Sequence, residues 1–147
     1  MKSLSRQIFY QKTGFVTCSY DDELQAIVQE FETFPLWNVE LIAAYKAMHE
    51  ACLQAVIRHK AQKWLCLSSK MNRATPQEVQ EYITHVVTPK LINAGLKYYA
   101  QVLPGSALSR LSTKQWQHEA QAEAAQKGVV TNFTTAEEAI AWLQQQK

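Results

Sequence analysis

Lys63-Trp64-Leu65-Cys66-Leu67-Ser68-Ser69 is the stretch that decides the fold of this 147-residue chain. Its apolar run has the length of a strand and ends in two hydroxyl residues, and helical patterns lie on both sides of it. Apolar residues on both faces of a strand are typical of a buried sheet in an α/β domain. We therefore expect this strand to be central, with neighbouring strands on both sides, and we expect function to gather where it ends.

The segments around this strand alternate between strand and helix patterns. Three short strands are predicted before it, at residues 7–10, 15–20 and 24–31, although glutamates and glutamines leave a helix open in the third segment. Helical spacing predicts a long helix that begins after Asn38 and ends near His59. After the central strand, we predict a capped helix from Thr75 with a kink at Pro89, a strand at 96–103, and a helix from Ser112 or Thr113 to Gly128. A strand at 129–133 and a helix at 136–145 are the last predicted elements. Thr134 or Thr135 is expected to cap this last helix, which should pack Trp142 and Leu143 onto the domain.

The predicted order of elements is β-β-β-α-β-α-β-α-β-α, which we interpret as one domain over residues 1–147. Helical crossovers between successive strands favour parallel pairing, whereas short turns in the first third favour antiparallel hairpins. The expected fold class is α/β, with a single mixed β-sheet in which N-terminal antiparallel strands are followed by βαβαβα units. The helices are expected largely on one face of the sheet or divided between the two.

The composition is that of an ordinary globular domain, with 47% hydrophobic and 19% charged residues. A formal net charge of +2, spread along the chain, is too small to indicate nucleic acid as a partner. No apolar run approaches the roughly 20 residues of a membrane span, and no secretion signal is recognised. The three cysteines lack metal-binding spacing and are expected to be reduced, buried thiols, which favours a cytoplasmic protein.

The loop after the central strand is the candidate contact surface, and residues 68–73 are called the contact loop below. Ser68 and Ser69 are candidates for a phosphoacceptor or ligand-contacting pair, with Lys70 and Arg73 placed to meet a phosphate. The alternative is that both hydroxyls only hydrogen-bond the backbone of the loop, which is the more common role of serine at such a position.

Aromatic residues provide a second candidate, an apolar pocket for a small ligand. Its predicted lining is Trp37, Tyr45, Trp64, Tyr98 and Tyr99. The alternative is that these side chains simply form the core, as aromatic residues on helices and strands usually do. An internal cavity in the structure would favour the pocket.

No catalytic residue, metal ligand or cofactor is predicted. Cys66 stands between two leucines, so we expect a buried and unreactive thiol. The four glycines are isolated, so no phosphate-binding loop is expected. The histidines lack the tight spacing of metal ligands: His49, His59, His85 and His118.

Three segments resemble a known family. They are the strand start Lys63-Trp64-Leu65, the segment Ala94-Gly95-Leu96-Lys97-Tyr98-Tyr99-Ala100 and the ending Phe133-Thr134-Thr135-Ala136-Glu137-Glu138-Ala139-Ile140-Ala141-Trp142-Leu143. Together with the element order, these segments are similar to small bacterial STAS/SEC14-like (SpoIIAA-like) domains. The resemblance spans about residues 8–143 and implies that fold. It rests mainly on structural features of strands and helices.

The resemblance also implies a kind of function. In anti-sigma-factor antagonists of the wider STAS group, a serine near a strand end and helix start is phosphorylated to switch partner binding, and Ser68 and Ser69 lie near that region. The chain differs at two places, because Leu67 stands where similar small proteins often have aspartate and the Asp-Ser-Ser-Gly type of switch sequence is replaced. Lys70-Met71-Asn72-Arg73 follows the two serines instead.

We therefore expect a non-enzymatic regulatory or protein-interaction module with an unknown protein partner. The alternative is a binder or carrier of a small apolar ligand or lipid, and an enzyme is the third interpretation. The lack of a catalytic constellation disfavours the enzyme. The sequence leaves a homodimer open.

Overall fold

A six-stranded mixed sheet organises the described part of the chain. The computed structural model describes residues 6–33, 36–124 and 129–146. The strands are β1 (Arg6–Lys12), β2 (Val16–Asp21), β3 (Ala26–Phe31), β4 (Lys63–Leu67), β5 (Tyr98–Val102) and β6 (Val129–Phe133). Their order in the sheet is the same as their order in the chain. The first two pairings are antiparallel and the last three are parallel, which confirms the α/β class and the mixed sheet.

Strand β4 lies inside the sheet, as its sequence predicts. It pairs with β3 on one side and with β5 on the other, parallel to both. Trp64 and Cys66 face one core and Leu65 faces another, so neither face of the strand meets water. The apolar run at Lys63–Leu67 therefore follows from burial on both faces.

The helices follow the strands in the expected alternation. They are α1 (Val39–His59), α2 (Gln77–Tyr82), a π-helical turn (Ile83–Val87), α3 (Thr88–Asn93), α4 (Ala107–Ala124) and α5 (Ala136–Gln144). The side chain of Asn38 accepts a hydrogen bond from the Leu41 amide at 2.8 Å, and Thr135 caps α5 in the same way at 3.2 Å. The predicted caps of the first and last helices are thus confirmed, with Thr135 rather than Thr134 as the cap.

The π-helical turn explains the irregularity expected at Pro89. Proline has no amide hydrogen and its ring would clash with the carbonyl group of residue 85 in a regular helix. The chain widens by one residue just before this point, so that the Thr88 amide donates to the Ile83 carbonyl. The helical segment continues as α3 beyond the proline.

The predicted cap of α2 and the predicted start of α4 are wrong, and one hydrogen bond joins the two residues concerned. We expected the Thr75 side chain to cap the second helix, but Pro76 stands at the cap and makes no side-chain cap bond. The Thr75 backbone amide donates a hydrogen bond to the Ser112 hydroxyl oxygen at 3.0 Å. Ser112 lies inside α4, which begins at Ala107, because its hydroxyl serves this tertiary bond rather than a cap. The predicted end at Gly128 lies outside the described residues.

The sheet has a different core on each face. One, the large core, lies under α1, the α2–α3 segment and α4; its aromatic and sulfur-containing members include Phe15, Tyr20, Phe31, Tyr45, Met48, Cys52, Trp64, Cys66 and Trp116. The other, the small core, lies under α5 and consists of Leu24, Ala26, Val28, Leu65, Ala100, Val102, Ala139 and Leu143. Strands that are added successively in one direction by right-handed crossovers place their connecting helices on the same face. Among the described helices, α5, which follows β6, is the one that packs on the other face.

The C-terminal helix packs onto the domain as predicted. Leu143 is fully buried in the small core. The Trp142 ring meets Tyr98 edge-on at a centroid distance of 6.0 Å and lies 5.8 Å from Phe133.

Candidate functional site

The carboxyl ends of the four parallel-running strands, β3 to β6, lie at one edge of the sheet. The contact loop leaves β4 at this edge, and the segment at 103–106 leaves β5 beside it. In α/β sheets this is the edge where binding residues collect, because loops there are held by a rigid scaffold.

The first serine of the contact loop is buried. Ser68 has no solvent exposure, and its hydroxyl donates to the Val102 carbonyl at 2.6 Å. The Gln101 side-chain amide donates to the same hydroxyl oxygen, also at 2.6 Å. Ser68 therefore ties the end of β4 to the end of β5, and a kinase would reach its hydroxyl only if these strand ends separated.

Apart from Met71, which is buried, the rest of the contact loop is exposed and is held by hydrogen bonds. Ser69, Lys70 and Arg73 face solvent. The Ser69 carbonyl accepts from the Gly105 amide at 3.2 Å, and a Cβ on Gly105 would lie only 3.3 Å from that oxygen. The Thr33 hydroxyl donates to the Lys70 carbonyl at 2.8 Å. Only Ser69 of the predicted pair is accessible as a phosphoacceptor.

The two cations of the loop are not equivalent. The Lys70 ammonium pairs with Glu32 at 3.5 Å, and both side chains are largely exposed. Arg73 stands further along the loop and is exposed. An exposed pair such as Lys70–Glu32 contributes little stability and can be exchanged for another anion.

The predicted aromatic pocket is in part a small cavity in the large core. Trp37, Tyr45 and Tyr99 line a cavity of about 30 Å³. Trp64 lies next to this group and is fully buried, with its ring stacked 5.8 Å from Tyr99. A cavity of this size is an order of magnitude below the ~300 Å³ at which ligand pockets usually begin.

Tyr98 does not belong to this group. Successive residues of a strand point to opposite faces of the sheet, so Tyr98 and Tyr99 cannot line one pocket. Tyr98 packs against the small core, on the face covered by α5. Its inclusion in the predicted pocket is therefore wrong.

A row of amide and thiol side chains crosses the sheet on the face that α1 and α4 cover. The sequence alone did not indicate this row. Each member of the last four strands stands fourth in its strand, and the register places them side by side. We call this set the polar row: Cys18, Gln29, Cys66, Gln101 and Asn132. Polar residues at the fourth position of three parallel strands are visible in the sequence, but only the register shows that they adjoin.

Most amides of the row have hydrogen-bond partners on neighbouring strands and helices. The Gln29 amide donates to the Met48 sulfur at 2.9 Å and accepts from the Trp64 indole at 3.3 Å. Asn132 and Gln117 exchange two hydrogen bonds, of 2.8 and 3.0 Å. Gln101 is the exception, because its carbonyl oxygen is buried without a partner among the described residues.

Burial keeps the Cys66 thiol and the two tyrosines beside it neutral at physiological pH. Burial raises the pKa of the Cys66 thiol to about 12, although contacts with Tyr99 and Gln101 oppose the shift. Burial likewise holds the pKa of the Tyr45 and Tyr99 phenols well above 10.0. A nucleophilic cysteine needs a lowered pKa, so Cys66 supplies a neutral hydrogen-bonding group rather than a thiolate.

His49 lies in the large core. Neither of its ring nitrogens has a hydrogen-bond partner in the part of the chain that the structure describes, and the imidazole packs 5.9 Å from Trp64 and 4.7 Å from Tyr45. Burial lowers the pKa of His49 from 6.5 to about 3. Like the Gln101 carbonyl, this histidine is an unsatisfied polar group that the sequence pattern did not reveal.

A shallow groove of about 970 Å³ runs between the α2–π-turn segment and α4 on the outer surface. Its walls are polar and carry both signs of charge, with Glu81, Glu119 and Lys114 among them. No group of three or more histidine, cysteine, aspartate or glutamate side chains in the described ranges is arranged to hold a metal ion. The described helices also include none that has both the length and the apolar character to cross a membrane.

No family model, curated protein or solved structure matches this chain. The contact loop and the polar row are therefore interpreted from their own geometry.

Proposed function

We propose that the chain is a non-enzymatic, STAS-like regulatory module that binds a protein partner in the cytoplasm through its contact loop. The observation that carries the proposal is the state of this loop. It lies at the carboxyl edge of the parallel strands, it exposes Ser69, Lys70 and Arg73, and hydrogen bonds from two neighbouring segments fix it. A rigid exposed loop binds with little loss of conformational entropy.

The element order supports the family part of the proposal. Antiparallel strands precede βαβ units in a single sheet, which is the order on which the resemblance to STAS-like domains rests. Within the loop, Ser69 takes the switching role. A phosphate there would bring negative charge beside Lys70 and Arg73 and would change the surface that a partner meets.

A carrier of an apolar molecule or lipid is the second candidate function. The aromatic lining of the cavity favours it, but a volume of about 30 Å³ does not. A lipid would have to displace core side chains around Met71 and Trp37, whereas the contact loop needs no rearrangement to bind. We therefore rank the interaction module first.

The proposal is tested by affinity capture from the native cell with matched charge reversals. Arg73→Glu and Ser69→Asp alter the contact loop, and Arg58→Glu makes the same charge reversal at an exposed site near the end of α1. We expect the two loop variants to lose or change the proteins captured by the wild type, and Arg58→Glu to keep them. Identical partner sets for all four proteins would contradict the proposal, and a captured second copy would identify a homodimer.

A further inference from the structure

Two buried glutamines of the polar row differ in one respect. Gln29 and Gln101 lie on the same face of the sheet, on either side of Cys66 in the register, and both line the small cavity. Both ends of the Gln29 amide are hydrogen-bonded. In Gln101 only the nitrogen is bonded, while the oxygen has no partner in the described residues.

The orientation of the Gln101 amide follows from the bonds of Ser68. A serine hydroxyl has one proton, and the Ser68 proton goes to the Val102 carbonyl. The group that faces the Ser68 oxygen must then be a donor, which places the Gln101 nitrogen there. The unsatisfied atom is therefore the carbonyl oxygen, Oε1, which accepts but cannot donate.

A buried carbonyl oxygen without a hydrogen bond destabilises the folded state. Gln101 is only 2% exposed, and leaving such a buried polar atom without a partner costs about 1–3 kcal/mol of folding free energy. Three of the residues that line the same cavity, Tyr45, Tyr99 and Thr113, carry a hydroxyl group. The region thus offers one acceptor that needs a donor and several groups that can both donate and accept.

The volume of the cavity limits the size of any molecule that it can hold. About 30 Å³ exceeds the roughly 10–15 Å³ that one water molecule needs, and it is far too small for an organic molecule. We propose that this cavity is a water-binding site in which a bound water donates a hydrogen bond to Gln101 Oε1 and completes its bonding with the hydroxyls of Tyr45 and Tyr99.

The water extends a chain of hydrogen bonds to the contact loop. The chain runs from the water through the Gln101 amide to the Ser68 hydroxyl and on to the Val102 carbonyl. The Ser68 carbonyl in turn accepts from the Met71 amide at 3.0 Å, inside the loop. The bound water therefore supports the base of the loop, and this holds whether or not the loop binds a partner.

The test compares the wild type with Gln101→Met and Gln29→Met, which remove the unsatisfied and the satisfied amide. Oxygen-17 relaxation dispersion counts water molecules with long residence times. We expect Gln101→Met to lose one such water and Gln29→Met to keep it. A crystal structure of the wild type should show a water about 2.6–3.2 Å from Gln101 Oε1.

Two results would overturn the proposal. One is an unchanged count of long-lived waters in Gln101→Met, and the other is a well-resolved wild-type crystal structure without a water at Gln101 Oε1. The crystal structure decides alone if a variant does not fold. A faster exchange of the Met71 amide in Gln101→Met would support the link to the loop.

Discussion

The two faces of the sheet differ in chemistry as well as in size. The small core is aliphatic throughout, from Leu24 to Leu143, and a single helix covers it. The large core contains aromatic rings, thiols and the buried members of the polar row, which are all of them except the exposed Asn132, together with a histidine and an amide that lack hydrogen-bond partners among the described residues. An aliphatic core contributes stability alone, whereas buried polar groups cost stability and persist where they specify a structure or serve a function. The difference directs the search for function to the large core and to the loop at its edge.

Removal of α5 should give the largest effect. Truncation after Thr135 exposes the small core, and each buried leucine or valine contributes about 1.5–3 kcal/mol. Their sum is comparable to the whole stability of a domain, about 5–15 kcal/mol. We expect the melting temperature to fall by about 10 °C or more, or the cooperative transition to vanish. Truncation after Gln144, which keeps α5, is the control, and equal melting curves for the two truncations would remove the structural role that we assign to the small core.

Acid should lower the free energy of unfolding because of His49, the histidine of the large core. The pKa of His49 falls from 6.5 to about 3 on folding, so the unfolded chain binds a proton that the folded chain refuses. Stability is then complete above about pH 6.5 and falls by up to about 1.4 kcal/mol for each pH unit between about pH 6 and pH 4. His49→Phe keeps the aromatic packing and should flatten this slope in urea titrations at several pH values. His118→Phe, the same substitution at an exposed position, should leave the slope unchanged, and a wild-type slope in His49→Phe would refute the assignment.

The smallest expected effect is the difference in the free energy of unfolding between alanine variants of Ser68 and Ser69, the neighbouring serines of the contact loop. Ser68→Ala removes the bond to the Val102 carbonyl and leaves the Gln101 amide hydrogen without its acceptor, at a cost of about 1–3 kcal/mol. Ser69→Ala changes an exposed side chain and should alter the free energy of unfolding by less than about 0.5 kcal/mol. Chemical denaturation of both variants measures the difference. Similar costs for the two would mean that Ser68 does not tie β4 to β5.

Local sequence patterns predicted most of the elements, because strand periodicity and caps depend on neighbouring residues. Lys63–Leu67, Asn38 and Thr135 belong to this group. The wrong helix starts involve Thr75 and Ser112, whose hydrogen bond joins residues 37 positions apart. Composition alone cannot distinguish a serine that caps a helix from one that bonds a distant amide.

The candidate site was less predictable than the fold for a similar reason. The loop after β4 was identified from the sequence, but the burial of Ser68 depends on Val102 and Gln101 in the next strand. The polar row exists only once the strands are in register, and neighbouring members of the row are separated by 11 to 37 positions along the chain. Tyr98 was misplaced because we grouped aromatic residues by type and did not apply the alternation of a strand to adjacent positions.

The agreement between strand order and chain order has a consequence for synthesis of the protein on the ribosome. Each strand from β2 to β6 pairs with one that has already emerged, so none of the described strands has to be inserted between two others. The sheet can grow in one direction as translation proceeds, with each helix closing over the pair of strands it connects. The small core is then the last part of the sheet to be covered, because α5 is made after β6. A nascent chain that stalls before this helix would expose leucine and valine side chains to water, which is the kind of surface that chaperones bind.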